Sequence, residues 1–513
     1  MTAGRSVIQK HRVILVLSFL YLVITSLIWI SRDTRPPFWD MAYHSSSALR
    51  IYDAFQTNGL SAFLRVPFLT GFYPPLFQSV VAAAWTIFGK TVAVSRASNL
   101  PAVAILLFAT YGIGRRLLPP LAAATAAVCV SFYPIMVWLS RETIIDYWLT
   151  ALVTLAFWAL LRTDSFSNRS RSILFGVICG LGMLTKWTFP LFLACPALWL
   201  ARRNWRNAAS SAALAAIMAA YWYVPAGASL LELHRINTAG GVTEGDPGVL
   251  SWQAFVFYVR ALEGYQLFLP LFVLFLAGAA ILYRRFDPAW IPVLLWLFSG
   301  WAGLMLLRNK DPRYSAPLLP AIALITALVV VRKEAFAYVL MAVLVVQHYV
   351  VSFGTTVVPQ AVVLAEGIKG PESWNWNLYT QSYMDLWGKP AREDWKIEYV
   401  LDRVTAGTNR PIRLGMVPDI PRFDALAFEF DAALLEKAVT VNRLWTFAEA
   451  RIVDNDYVLL AEQDQGFAKF FAPDLDRVRR YVLDRPETFA PVESFTLPSG
   501  HTIRLYRVKG STP

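Results

Sequence analysis

The sequence predicts a polytopic α-helical membrane protein of about eleven spans, followed by a small extracytoplasmic α/β domain. Three observations carry that reading. Of 513 residues, 56% are hydrophobic and only 16% are charged, against about a quarter charged in an average soluble domain. The apolar residues gather in runs long enough to cross a bilayer, which takes about 20 residues each. Charge is also divided along the chain. Residues 1–360 hold 28 Lys and Arg against 13 Asp and Glu, net +15, whereas 361–513 hold 19 against 22, net −3. A basic excess confined to the apolar part marks cytoplasmic loops, so no nucleic-acid partner is expected.

The first apolar run, 13–30, follows Arg5, Lys10 and Arg12 and has no small-residue cleavage site after it. It reads as a retained signal-anchor with a cytoplasmic N-terminus. Further runs lie near 97–116, 119–139, 143–162, 172–187, 188–201, 207–225, 265–283, 289–307, 315–331 and 335–353. Segment 73–89 is ambiguous. Placed in the interface, it puts 15 basic residues on the cytoplasmic side against only Asp164, Asp287 and Glu334. Placed across the membrane, it gives 12 basic against 7 acidic on that side. The positive-inside rule selects the eleven-span arrangement in a cell (inner or plasma) membrane. Ten of the thirteen acids of the membrane part, and the C-terminal domain, then lie outside the cytoplasm.

Composition sets the domain boundary, with 1–358 as the membrane domain and 359–513 as the soluble one. A Trp-rich stretch (Trp374, Trp376, Trp387, Trp395) leads into strand-like runs at 411–417, 438–442, 456–461 and 501–508, with amphipathic helices at 421–437 and 474–484. Three cysteines (Cys129, Cys179, Cys195) lie in apolar runs without metal-ligand spacing. Five scattered histidines give no zinc signature, and there is no phosphate loop, dinucleotide fingerprint or nucleophile elbow. Gly240 and Gly241 read as loop, and Gly176, Gly180 and Gly182 as close helix packing.

The charges outside the cytoplasm form two complementary sets. Asp40 follows the first span, and Asp146 lies one turn inside a helix among Ile144, Ile145 and Trp148. An intramembrane acid defaults to function. Its alternative, complementing the helix dipole, fits Glu142. For Asp40 the alternative is an ordinary N-cap. The cations are Lys186, at the turn between two short spans, and Arg308-Asn309-Lys310-Asp311-Pro312-Arg313-Tyr314, with three basic residues in six positions. Converging Arg and Lys hold phosphate, and Tyr314 adds a donor; snorkelling is the alternative for Lys186. His234, in the external loop 226–258 with Glu232, Glu244 and Asp246, is a further candidate for serving a sugar or a metal, with solvated loop polarity as its alternative. Carboxylates and phosphate-holding cations at the outer surface, with no nucleotide site, fit transfer from a lipid-borne phosphate leaving group. A secondary transporter or lipid flippase with a membrane-embedded acid/Arg site is the alternative, but no topological halves are visible.

Ordered along the chain, these pieces resemble the GT-C superfamily of integral-membrane glycosyltransferases, in the branch of aminoarabinose transferase and protein O-mannosyltransferase. The resemblance covers most of 1–360. It rests on Asp40, Tyr73-Pro74-Pro75-Leu76, Ser140-Arg141 with Asp146, the Gly180–Lys186 run, and Arg313-Tyr314 with Pro317 and Pro320. It implies juxtamembrane helices in the first external loop, a polyprenyl-phosphate sugar donor and an inverting displacement. Of the two catalytic residues, Asp40 would be the acceptor-activating base or its positioner and Asp146 the second acidic site residue, while Lys186, Arg308, Arg313 and Tyr314 would contact the donor phosphate. Tyr73, Arg141 and His234 are possible substrate contacts. No cofactor and no metal are expected. The partners are membrane lipids, the lipid-linked sugar, and an acceptor glycan, lipid or protein. Aminoarabinose transferases usually carry Glu-Lys before Pro-Pro; here Phe72-Tyr73 stand there.

Overall fold

In the computed structural model, residues 2–365, 376–382, 387–408 and 410–509 are described. Trp374, at the head of the Trp-rich stretch, lies outside them. Each of the eleven apolar runs is helical, from Thr2–Arg32 to Glu334–Phe353. Six helices among the described residues are long and apolar enough to cross a membrane: Lys10–Arg32, Val92–Leu117, Trp252–Arg284, Pro288–Leu306, Pro312–Val330 and Glu334–Phe353. Leu76–Phe88, Pro120–Phe132 and Pro190–Ala201 are shorter apolar helices. The molecule is a multi-pass membrane protein.

Prolines set several boundaries. Pro120 opens Pro120–Phe132, and Pro134 opens Pro134–Leu139, so the 119–139 run is two helices. Proline suits a first helical turn, where its missing N–H is not needed. The segment 226–258, read as a loop, instead holds the helices Gly227–Thr243 and Trp252–Ala261. Gly241 is helical and allows the backbone of Arg308 and Asn309 to pass, since a Cβ there would lie 2.8 Å from the Arg308 carbonyl. Gly176 and Gly180 do serve close packing: Cβ atoms there would meet the Ser211 carbonyl at 2.6 Å and the Met218 sulfur at 2.7 Å. Helix Arg169–Met183 thus lies directly against helix Trp205–Tyr223.

The chain forms two compact units. The first comprises Met1–Ser31, Leu64–Val80 and Arg96–Pro390; the second comprises Arg32–Phe63, Val81–Ser95 and Ala391–Pro513. Each unit is assembled from three stretches of the chain. The hairpin of β1 (Ala361–Ala365) and β2 (Trp376–Thr380) belongs to the first unit.

In the second unit, β3 (Ile412–Met416), β4 (Val439–Arg443), β5 (Tyr457–Ala461), β6 (Phe489–Thr496) and β7 (Thr502–Val508) form one sheet in the order β4-β3-β5-β7-β6. β3 pairs in parallel with β4 and β5, and β7 pairs antiparallel with β5 and β6. Successive strand residues face opposite sides. Leu459 and Ala461 join Val400, Leu401 and Phe428 in one core, and Val458 and Leu460 join Ile452, Val478 and Val482 in another. Helices therefore cover both faces. The four strand-like runs and both amphipathic helices of the sequence reading are present within a few residues. β6 and the helix Ile397–Thr405 are additional.

Candidate functional site: a buried lysine, its carboxylate and a tyrosine face

In the first unit, the Ser140–Ile145 stretch is a turn, and Asp146 is the first residue of helix Asp146–Arg162. It is therefore itself the acid of the first turn, at the positive end of the helix dipole. Glu142 instead sits in the turn, fully buried, with Oε2 3.4 Å from Arg96 Nε. The turn is held from below by Asn99, whose Nδ2 donates to the carbonyls of Leu139 at 3.3 Å and Glu142 at 2.6 Å.

Lys186 lies in the turn between helices Arg169–Met183 and Pro190–Ala201, as its surroundings in sequence predict. Its Nζ donates to Asp146 Oδ1 at 2.7 Å, and both side chains are buried. The same ammonium stands 4.5 Å from the centroid of the Tyr314 ring. The carboxylate compensates the buried ammonium, and the aromatic face adds a second, cation–π contact that favours one geometry. Forty residues apart in sequence, Asp146 and Lys186 meet because the two helices pack side by side.

Tyr314 and Arg313 ride on the 3₁₀ turn Pro312–Leu318. Arg313 Nε donates to Asp311 Oδ2 at 2.8 Å, and Asp311 Oδ1 caps the turn through the Arg313 N–H at 2.9 Å. The Tyr314 hydroxyl donates to Asn309 Oδ1 at 3.0 Å. From the other side Gln266 Nε2 donates to the Pro312 carbonyl at 2.5 Å and to Ser315 Oγ at 2.7 Å. Gln266 comes from a π-turn, Leu262–Leu267, a form often found at functional positions. Asp311, Asn309, Gln266 and the buried Glu263, whose Oε1 accepts the Asn377 N–H at 3.0 Å, were not singled out from sequence. An acid inside an apolar span was the available signal for Glu263.

The remaining candidates are placed differently. Arg308 Nη1 donates to the carbonyls of Asp246 at 2.6 Å and Pro247 at 3.0 Å. Lys310 Nζ donates to the carbonyls of Leu304 and Met305 at 3.3 Å and to that of Leu307, closing the end of helix Ile291–Leu306. Its backbone N–H donates to Asp246 Oδ2 at 2.6 Å. Burial lowers the Lys310 ammonium to about 8 and raises the Asp246 carboxyl to about 6. Arg141 is buried elsewhere: Nη2 lies 3.2 Å from His348 Nε2, and the guanidinium lies 5.6 Å from the Trp29 ring centroid. Tyr73 is half-buried in a segment joined to the lysine turn, where the Leu76 N–H donates to the Leu184 carbonyl at 2.9 Å. His234 is exposed on Gly227–Thr243. Asp40 belongs to the second unit, half-buried in the first turn of helix Trp39–Asn58.

A bundle of apolar helices with an acid–lysine pair and an Arg-Tyr turn at its helix ends, plus an α/β sheet, defines a polytopic α-helical membrane protein. Two solved structures of ArnT from Cupriavidus metallidurans match nearly the whole chain. The apo form gives a TM-score of 0.60 over 96% of this chain and 97% of that one, and the form bound to undecaprenyl phosphate gives 0.58 over 97% and 99%, both at 12% identity. The apo Archaeoglobus fulgidus oligosaccharyltransferase matches at 0.55 over 98% and 75%, with 13% identity. Residues 73–226 match the family described as dolichyl-phosphate-mannose-protein mannosyltransferase. The undecaprenyl phosphate-α-4-amino-4-deoxy-L-arabinose arabinosyl transferase of Pseudomonas aeruginosa is 28% identical over 292 residues, covering 50% of each chain. The match thus spans about half the length of the curated relatives. Over nearly its whole length the chain shares the fold of these solved membrane-protein structures.

Proposed function

We propose that this protein transfers a hexose or pentose from a polyprenyl-phosphate donor to an acceptor hydroxyl at the extracytoplasmic face of the membrane. The observation that carries this reading is the buried Lys186, held by Asp146 and faced by Tyr314, with Arg313 in the adjacent position. Pre-set cations aimed at a developing phosphate charge are an effective way to help a phosphate depart. The names of the relatives, which specify undecaprenyl phosphate, support the donor class.

In this reading the acceptor oxygen attacks the anomeric carbon, the carbon–phosphate-oxygen bond breaks with inversion, and polyprenyl phosphate leaves with the bonding pair. Asp40 takes the acceptor proton. Lys186 and Arg313 hold the phosphate, Tyr314 backs the ammonium, and Asp146 orients Lys186. Catalysis needs no metal, so saturating EDTA leaves the rate unchanged. The test compares membrane lipids by mass spectrometry with and without the gene: a polyprenyl-phosphate sugar accumulates in its absence. Re-expressing the wild-type chain clears it, and Asp40→Asn does not. No change in any such lipid overturns the proposal.

A further inference from the structure

Helix Trp39–Asn58 begins without a capping side chain, since Phe38 at its N-cap position makes no side-chain bond to it. Trp39, immediately before Asp40, has φ 45°. A bulky residue in left-handed backbone is strained and persists only where its surroundings over-determine it.

Those surroundings are two loops of the second unit's sheet. The loop after β3 supplies Asp419, whose Oδ1 accepts the Trp39 indole N–H at 3.0 Å, and Asp424, whose Oδ2 lies 3.4 Å from the Trp39 backbone N. It also supplies Arg422, whose Nη1 donates to the Pro36 carbonyl at 3.1 Å while its guanidinium lies 4.9 Å from the Phe38 ring centroid. All three are at most 5% exposed. The loop after β5 supplies Phe467, which meets the Trp39 ring edge-on at 5.0 Å. The two loops are themselves joined, with the Asp419 N–H donating to the Gln465 carbonyl at 2.8 Å and the Phe467 N–H to the Asp419 carbonyl at 2.8 Å.

The chain leaves β3 toward β4 on one side and returns to β5 on the other. Between the carboxyl ends of β3 and β5 lies the point where open α/β sheets ordinarily hold a ligand. Here the occupant is the chain's own Trp39.

We propose that Asp419, Arg422 and Asp424 are positioning residues for the transfer reaction: they seat Trp39 in the crevice between the β3 and β5 loops, and so fix the start of the helix on which Asp40 is the second residue. This rests on the reading of Asp40 as the group that activates the acceptor. The soluble sheet then contributes to rate without touching either substrate. Its buried carboxylates have a task beyond capping helix Ala425–Leu434, which Asp424 Oδ1 also does.

The test uses the full chain in proteoliposomes, with the lipid-linked sugar extracted from cells lacking the gene as donor. Trp39→Phe keeps the ring against Phe38 and Phe467 and removes only the indole N–H; Asp419→Ala removes its acceptor. Each lowers kcat about tenfold, the weight of one buried hydrogen bond transmitted to placement of the reacting group, with the donor KM within about twofold. Asp419→Asn keeps an oxygen acceptor and returns kcat to within about twofold of wild type. Unchanged kcat in Trp39→Phe, or Asp419→Asn as slow as Asp419→Ala, overturns the proposal. Where Asp419→Ala fails to fold, Trp39→Phe decides. Asp40→Asn is measured alongside. If it is inactive while Trp39→Phe is fully active, only the positioning role fails; if it is active, the acceptor-base reading fails as well.

Discussion

Two buried lysines of the first unit, Lys186 and Lys310, look alike in sequence, each closing an apolar run beside a tight turn. Their neighbours separate them. The Lys186 ammonium meets a carboxylate and an aromatic face. The Lys310 ammonium meets three backbone carbonyls at a helix end, groups that any helix must satisfy somehow. One lysine is poised toward charge and the other completes a fold. A cation near a membrane surface therefore announces its task through what it is bonded to, and density of cations in the sequence is a weaker guide.

Substitutions at the two sites should diverge accordingly. The largest effect is expected at Lys186: if it holds the donor phosphate as proposed, Lys186→Met removes that charge and leaves Asp146 buried alone, lowering kcat at least about 100-fold, in the range of lost electrostatic donors. Asp146→Asn keeps a hydrogen-bond acceptor for the ammonium and loses about 10-fold to 100-fold. Activity within twofold of wild type in Lys186→Met would remove the lysine from the site. Arg313→Gln comes next, about tenfold, read as a rise in donor KM more than a fall in kcat, because Asp311 already shares its charge. Lys310→Met reverses the pattern. It leaves kcat per folded molecule unchanged and costs about 1–3 kcal/mol through orphaned carbonyls, visible as a lower unfolding temperature in detergent.

The smallest effect is a pH dependence. Asp246 titrates near 6 in the fold, above the ordinary carboxylate value of 3.8, because burial outweighs the Lys310 N–H bond. The native state thus binds more protons than the unfolded chain between about pH 4 and 6, and stability falls as pH rises through that window. Lys310, lowered to about 8 from 10.5, acts oppositely: between about 8 and 10.5 the native state binds fewer protons, and stability rises. Asp246→Asn should flatten the acid-side decline and leave the alkaline rise. An identical profile for the variant, followed by thermal unfolding from pH 4 to 10, would show that Asp246 is not the group responsible.

Much of the architecture is legible in residue order. Apolar runs of span length locate the helices, and alternation in 411–417 and 456–461 locates β3 and β5. β6 escapes because Pro491 and Glu493 interrupt its alternation; the strand tolerates the proline at a sheet edge, where the register also shifts. Lys186, Arg313 and Tyr314 were visible as charges and a hydroxyl where few are expected. That Lys186 meets Asp146 was not, because their contact depends on helix Asp146–Arg162 packing beside helix Arg169–Met183, a tertiary fact. Arg308 and Arg313 were likewise inseparable in one dense motif; only the carbonyls of Asp246 and Pro247 distinguish the first. The clamp on Trp39 has no local signature at all, since its partners lie in a different part of the chain.

That separation sets an order of events during synthesis. The indole of Trp39 finds Asp419 only 380 residues downstream. At roughly 5–20 residues per second, the first loop waits about 20–80 s after it is made before its partner emerges. During that interval Phe38 and Trp39 are aromatic surface without their sheet. The last segment translated therefore completes one of the earliest. A chain stopped short of β3 would carry every apolar helix described above and still lack the two carboxylates that meet Trp39.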